Sequence, residues 1–191
     1  MKHCILRVSG TFGSGKTTAA REFLKYPHEE LKKEAKIQGY QIDASSAGIA
    51  TPIFLLGSYK NTCGGCDGIP TQDDIWERAL KAHQYGHVLM EGALLSGSGL
   101  NGAVTKAVQP TGCAVYTFLD TPMDECITRV KIRRATAGNE KTFDPKNLIS
   151  KFESVVACYK NLKAAGGYDV RLIDHTNIHP QLITILKEFE A

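Results

Sequence analysis

Residues 4–18, CILRVSGTFGSGKTT, constrain this chain more than any other stretch. The run from Cys4 to Val8 reads as a buried strand, and it feeds directly into Gly10-Thr11-Phe12-Gly13-Ser14-Gly15-Lys16-Thr17-Thr18. From Gly10 to Thr17 this matches the phosphate-binding pattern G-x-x-x-x-G-K-[ST] without a mismatch. Glycine carries no Cβ, so the backbone can turn its N–H groups inward and approach an anion closely. Helix-forming residues run from Lys16 to Tyr26 and stop at Pro27. The loop therefore sits on a helix N-terminus, whose dipole favours negative charge. The pattern predicts that residues 10–18 cradle a nucleoside triphosphate, with Lys16 at the β- and γ-phosphates and the Thr17 hydroxyl on Mg²⁺.

A chain of 191 residues is long enough for one domain with its own core, and one domain spanning 1–191 is the expectation. No apolar run approaches the roughly 18–20 residues of a membrane span, and the N-terminus enters the first strand without a leader. An intracellular protein is expected. The six cysteines, Cys4, Cys63, Cys66, Cys113, Cys126 and Cys158, lie mostly in apolar contexts, which suits reduced thiols better than a disulfide framework. A net charge of +3 leaves a nucleic-acid partner open, because a local basic patch fits inside a near-neutral total.

Further along, residues 28–38 are charged and read as a helical extension or a solvated excursion. Tyr40–Asp43 and Pro52–Gly57 read as strands, followed by a Ser/Gly-rich stretch with Tyr59-Lys60-Asn61-Thr62-Cys63-Gly64-Gly65-Cys66-Asp67-Gly68. Thr71 and Asp74 have capping-box spacing, so a helix opens there and runs to Gly86. His87-Val-Leu-Met-Glu91 reads as a strand ending in the second acidic element of a phosphate-loop enzyme, with Glu91 on Mg²⁺. A short helix is expected over 101–109, a strand over Cys113–Asp120, and a helix after Thr121-Pro122 on which Met123, Cys126, Ile127 and Val130 are the apolar stripe. Arg129 and Arg133 share a face of that helix, with Lys131 and Arg134 adding charge. A helix from Pro145 to about Ala165, a strand over Tyr168–Ile173 and a helix from Pro180 to Phe189 complete the chain. Apolar strands alternating with helices predict an α/β fold: a parallel sheet of about five strands with helices on both faces. Ligands bind such sheets at the carboxyl ends of the strands, where the phosphate loop, Asp43, residues 58–70, Glu91 and the helix after Asp120 are expected to converge.

In this order the pieces resemble a P-loop kinase of the nucleoside and nucleotide kinase type. The resemblance rests on Gly10–Thr17, the strand ending in Glu91, and Phe118-Leu-Asp120-Thr-Pro122 followed by a helix with Arg129, Arg133 and Arg134. It implies a P-loop NTPase fold and ATP as phosphoryl donor. It also implies a lid over about 129–146, whose arginines 129, 133 and 134 neutralise the transferring group. Residues 43–75 contain no arginine, so an acceptor carrying its own phosphate would lack its usual clamp. LGSYKNTCGGCDGI, VLMEGALLSG and RRATAGN resemble instead phage-encoded kinases that phosphorylate the hydroxymethyl group of 5-hydroxymethyluracil within DNA. A kinase for a free nucleoside or nucleoside monophosphate is the alternative.

Phosphoryl transfer needs an acid that orients and accepts the acceptor proton. Asp67, in a glycine-rich loop, is the first candidate. Asp43, at the place where related small-molecule kinases hold an acceptor hydroxyl, is the second. Tyr59, Lys60 and Asn61 flank the same loop and are candidates to stack on a base or meet a phosphate, whereas Trp76 falls on an apolar helix stripe and reads as core. Cys63-Gly-Gly-Cys66 would need two further ligands, such as His83 or His87, to hold zinc. Gly97-Ser-Gly99-Leu-Asn-Gly102 matches G-x-G-x-x-G, but Glu91 to Ser96 intervene where a dinucleotide fingerprint wants its turn directly after the strand. A hydrolysing NTP switch would be the third class; no Asn-Lys-x-Asp element is present.

Overall fold

The computed structural model describes residues 2–31, 37–61, 64–96, 112–139 and 141–190. In chain order its regular elements are β1 (Ile5–Ser9), α1 (Lys16–Glu22), β2 (His28–Leu31), β3 (Gly39–Ile42), β4 (Ile53–Leu56), α2 (Gln72–His83) and β5 (His87–Glu91). β6 (Ala114–Leu119), α3 (Met123–Thr136), α4 (Lys146–Ala165), β7 (Asp169–Ile173) and α5 (Ile178–Lys187) follow. The short helix expected over 101–109, the glycine motif at 97–102, Cys63 and the tail of the 28–38 segment at 32–36 lie outside the described residues.

Among the described residues the strands form one seven-stranded sheet in the order β2-β3-β4-β5-β1-β6-β7. Every residue of β1, β4, β5 and β6 is buried, as continuous apolar strands require when both faces are covered. One face packs under α2 and α4, through Ile75, Trp76, Ala79, Val155 and Leu162. The other packs under α1 and α5, through Ala19, Ala20, Leu182, Ile185 and Leu186. Each fully buried valine, leucine or isoleucine among these contributes about 1.5–3 kcal/mol. Thr71 caps α2, accepting the Asp74 N–H at 3.1 Å, as its spacing predicts. On α3 Cys126 and Val130 are buried against Leu148 of α4, whereas Met123 is exposed, one turn too early to reach that contact.

Two features depart from the expected parallel sheet of about five strands. β3 pairs antiparallel with both β2 and β4, so it alone runs against the rest of the sheet. Its connection to β4, residues 43–52, is ten residues without an α-helix, too short for the crossover a parallel neighbour needs. β2 is the second: His28, Glu29 and Glu30 are exposed along it, and charges on an edge strand discourage pairing with another chain. Arg7, within β1, is fully buried; its guanidinium lies 4.8 Å from the Tyr116 ring centroid and donates to Cys158 Sγ at 3.6 Å.

At the amino edge of the sheet His87 is buried, with Nδ1 accepting the Cys4 N–H at 2.9 Å and Nε2 at 2.8 Å from Glu190 Oε1. Burial lowers the His87 pKa from 6.5, against the pull of Glu190. Burial pushes Glu190 up, but hydrogen bonds from Thr51, His87 and the Ala50 backbone outweigh it and bring the carboxyl down to about 2 from 4.5. Both folded-state pKa values are depressed, so the unfolded chain binds more protons at acid pH. The stability that these groups contribute is present above about pH 6.5 and is lost as pH falls, first through His87 and then, between 4.5 and about 2, through Glu190. Thermal melts should fall over this range, and Glu190→Gln should flatten the part below pH 4.5. An unchanged acid limb in that variant would refute the assignment.

Candidate active site

β1 delivers the chain into the loop at the carboxyl end of the sheet. Gly15, at φ 101°, turns it in the left-handed region where a Cβ is strained, and α1 begins at the next residue. Ser14 Oγ donates to Thr11 O at 2.8 Å and Thr121 Oγ1 donates to Ser14 O at 2.9 Å, so the loop is tied to itself and to the end of β6. The Gly10 N–H donates to Ser96 Oγ at 3.3 Å, and the Thr11 hydroxyl donates to Leu148 O at 3.3 Å. Gly10 and Thr11 therefore shape the loop from behind, and the loop residues that line the crevice are Phe12 to Thr18.

That crevice has a volume of about 820 Å³, within the range of small-ligand sites. Lys16, Asp67, Glu91, Arg129 and Arg133 all line it. Lys16 is buried, and its ammonium donates to Gly10 O and Thr11 O, both at 2.9 Å. Burial lowers its pKa, while the charges of Glu91 and Asp67 work the other way. The Thr17 hydroxyl donates to Glu91 Oε1 at 3.0 Å. Burial pushes the Glu91 carboxyl up to about 7 and Asp67 adds to this, against Lys16 and the Thr17 bond. Gly65 explains the glycines of the preceding loop: a Cβ there would sit 2.3 Å from Glu91 Oε1, so only glycine lets this loop close over the acid.

Asp67 stands on a single 3₁₀ turn, Cys66–Gly68, and its Oδ1 accepts the Ala93 N–H at 2.6 Å. Arg129 donates to Gly13 O at 3.4 Å and pairs with Glu125. Glu125 Oε2 lies 3.0 Å from His175 Nε2, whose Nδ1 lies 2.9 Å from Asp120 Oδ1.

Several expected site residues stand elsewhere. Asp43 is exposed, bonded to the Ser45 N–H at 2.9 Å, and outside the crevice, because reversal of β3 carries its end to the opposite edge of the sheet. Tyr59 is a core residue rather than a stacking platform: it is buried, with its ring 6.2 Å from that of Tyr40. Lys60 pairs with Glu30 of the edge strand at 2.7 Å. Asn61 serves through its backbone, its carbonyl accepting from Arg21. Arg134 turns away from the crevice to Asn139 Oδ1 and Lys141 O, at 3.3 and 3.0 Å, and closes the turn after α3. The zinc set fails as well. Cys66 donates to Leu56 O at the carboxyl end of β4, while His83 and His87 are engaged at the amino edge with His3 and with Glu190.

Arg21 and the segment His175 to Pro180 also line the crevice and were not singled out from sequence. The signal for the latter was present: the segment follows a parallel strand, and every such carboxyl end faces the binding crevice.

No family model matches the chain. The curated protein named 5-hmdU DNA kinase of Pseudomonas phage PaMx11 is 35% identical over 169 residues, covering 86% of this chain and 88% of that protein. The protein of the same name from Delftia phage PhiW-14 is 24% identical over 177 residues, covering 85% of this chain and 65% of that protein. Among solved structures, a gluconokinase from Sinorhizobium meliloti 1021 is 17% identical with a TM-score of 0.44, covering 97% of this chain and 92% of that one.

Proposed function

Because the chain belongs to the 5-hmdU DNA kinase family, we propose that it moves the γ-phosphoryl group of ATP onto the hydroxymethyl oxygen of 5-hydroxymethyluracil in DNA. The observation that carries the residue-level reading is the convergence of Lys16, the Thr17–Glu91 pair and Asp67 in one crevice.

Residues 12–18 hold the triphosphate with backbone N–H groups, and Lys16 neutralises charge on the β- and γ-phosphates. Arg129 and Arg133 approach the same phosphates from α3. Thr17 and Glu91 offer only oxygen donors, 3.0 Å apart, the ligand type a hard divalent cation takes. A carboxyl that burial holds near pH 7 is also one whose charged form a cation would favour. Thr17 and Glu91 would hold Mg²⁺, which would supply positive charge to offset that of the phosphates. Asp67 accepts the proton of the hydroxymethyl group as its oxygen bonds to the γ-phosphorus. The bond from that phosphorus to the β–γ bridging oxygen breaks, and ADP leaves. A neutral hydroxyl acceptor suits a substrate side to which residues 43–75 bring no arginine.

We place the whole of 1–191 in one kinase domain with its lid at about 129–146, acting in the host cytoplasm where ATP and DNA meet. No helix among the described residues is long and apolar enough to cross a membrane.

Incubation with Mg²⁺ and γ-labelled ATP tests the reading, using DNA containing 5-hydroxymethyluracil, ordinary DNA, free nucleosides and nucleoside monophosphates as acceptors. Label is expected in the hydroxymethyluracil DNA and in none of the others. Label confined to a free nucleoside or monophosphate would move the acceptor out of the polymer, and label confined to inorganic phosphate would make the protein a hydrolase.

A further inference from the structure

We infer that Lys151 is a positioning residue that holds the Asp67 carboxylate in place through the backbone of Ala93. The inference rests on the reading of Asp67 as proton acceptor given above.

The backbone of the Asp67 turn is held from one side, by buried Cys66 bonded to Leu56 O and by the bridge between Gly65 and Ser58. The Asp67 side chain itself is exposed, and Gly68 beside it stands in open space. A reacting group displaced by about 1 Å loses on the order of 10²-fold in rate, so the carboxylate needs a fixed partner of its own. Ala93 is that partner, its N–H donating to Asp67 Oδ1 at 2.6 Å. Ala93 lies beyond the end of β5, where no ladder bond orients its peptide planes. Its carbonyl accepts from Lys151 Nζ at 2.5 Å and, at a longer 3.3 Å, from the Ser96 N–H. The Asp67 and Lys151 bonds flank one α-carbon, so together they hold both peptide planes that adjoin it.

Lys151 comes to this point on a helix that is itself fastened to the phosphate loop. Leu148, three residues earlier and so on the same face of α4, accepts the Thr11 hydroxyl at 3.3 Å. α4 therefore ties the phosphate loop to the turn that carries the Asp67 anchor. Lys151 is half-buried, and burial works against its ammonium, while the negative charge of Asp67 supports it. The lysine and the carboxylate are coupled both through the backbone and through space. Asp67 Oδ1 is committed to Ala93, and no bond to Oδ2 is found among the described residues, which leaves that oxygen to take the acceptor proton.

The test is a double-mutant cycle on phosphoryl transfer to hydroxymethyluracil DNA, using Lys151→Met and Asp67→Asn. Lys151→Met is expected to lower kcat by about tenfold to a hundredfold. The KM for ATP should move far less than kcat, because the lysine makes no hydrogen bond to the loop and acts on Lys16 only by charge repulsion. Lys151→Arg, which keeps a donor and the charge, should restore most of the rate. In the Asp67→Asn background Lys151→Met should add almost nothing, since a residue that acts through Asp67 has no further effect once the base is gone. Full additivity in the cycle, or an unchanged kcat in Lys151→Met, would overturn the inference. If Asp67→Asn alone left kcat intact, the base assignment would fall and this inference with it, a result distinct from additivity. Should the Met variant fail to fold by circular dichroism, Lys151→Gln serves in the same cycle.

Discussion

Replacing Lys16 by alanine is expected to lower phosphoryl transfer by about 10³-fold, or ~4 kcal/mol of transition-state stabilisation. The ammonium is buried beside Glu91 and donates to two carbonyl groups of the phosphate loop, so it is held where the charge of a transferring phosphoryl group develops. Arg129 and Arg133, which line the same crevice, can take over only in part, and Arg133 is exposed. Arg129 is already engaged with Glu125 and Gly13 O, and its side chain is 38% exposed, so solvent dilutes its field. The fold should survive, because the variant deletes a buried charge as well as its bonds. It also deletes the cation that favours ionised Glu91, and the carboxyl should then titrate higher still. Label transfer from γ-labelled ATP, with circular dichroism as a check on folding, measures the effect. Activity within tenfold of the parent would show that this loop does not hold the donor.

The second large effect belongs to Asp67. Asp67→Asn keeps an oxygen that can accept the Ala93 N–H, so the 3₁₀ turn keeps its anchor and only proton acceptance is lost. A positioned general base contributes about 10²–10⁴-fold, and single-turnover transfer should fall by that order while ATP affinity changes less than about twofold. Asp43→Ala, in the same assay, should leave the rate unchanged, since that carboxylate sits on the far edge of the sheet. The reverse pattern, loss with Asp43 and none with Asp67, would exchange the roles and contradict the strand order.

Asp43 and Asp67 differ in a way that their neighbours in the chain do not reveal. Asp43 follows the short strand GYQI and Asp67 the glycine-rich TCGGC, and each is a candidate base when only its neighbours in the chain are known. What separates them is the direction of β3. A four-residue strand, Gly39–Ile42, has the same alternation whichever way its neighbour runs. The ten-residue link to β4 was the available sign, being too short for a helical crossover. The places of Tyr59 and Lys60 are hidden for a related reason: local pattern cannot tell whether a loop aromatic faces solvent or, as here, Tyr40. Lys151 left no trace at all, because a lysine within an amphipathic helix is ordinarily a solvated one.

The sequence alone determined the parts whose physics is local. Glycine spacing, the strand before it and the helix after it dictate an anion-binding loop, and Thr71 three residues before Asp74 dictates a helix start, because each depends on backbone geometry within a few residues. Family kinship, too, was legible from residues in order. Tertiary structure decided what depends on contacts between distant segments. It set Glu91 against Thr17, Asp67 against Ala93 and Ala93 against Lys151, over separations of 74, 26 and 58 residues. It also sent Asp43 to the other edge of the sheet. Hydrogen bonds of that reach are fixed only when the sheet order and strand directions are, and those follow from which pairing buries the most apolar surface over the whole chain.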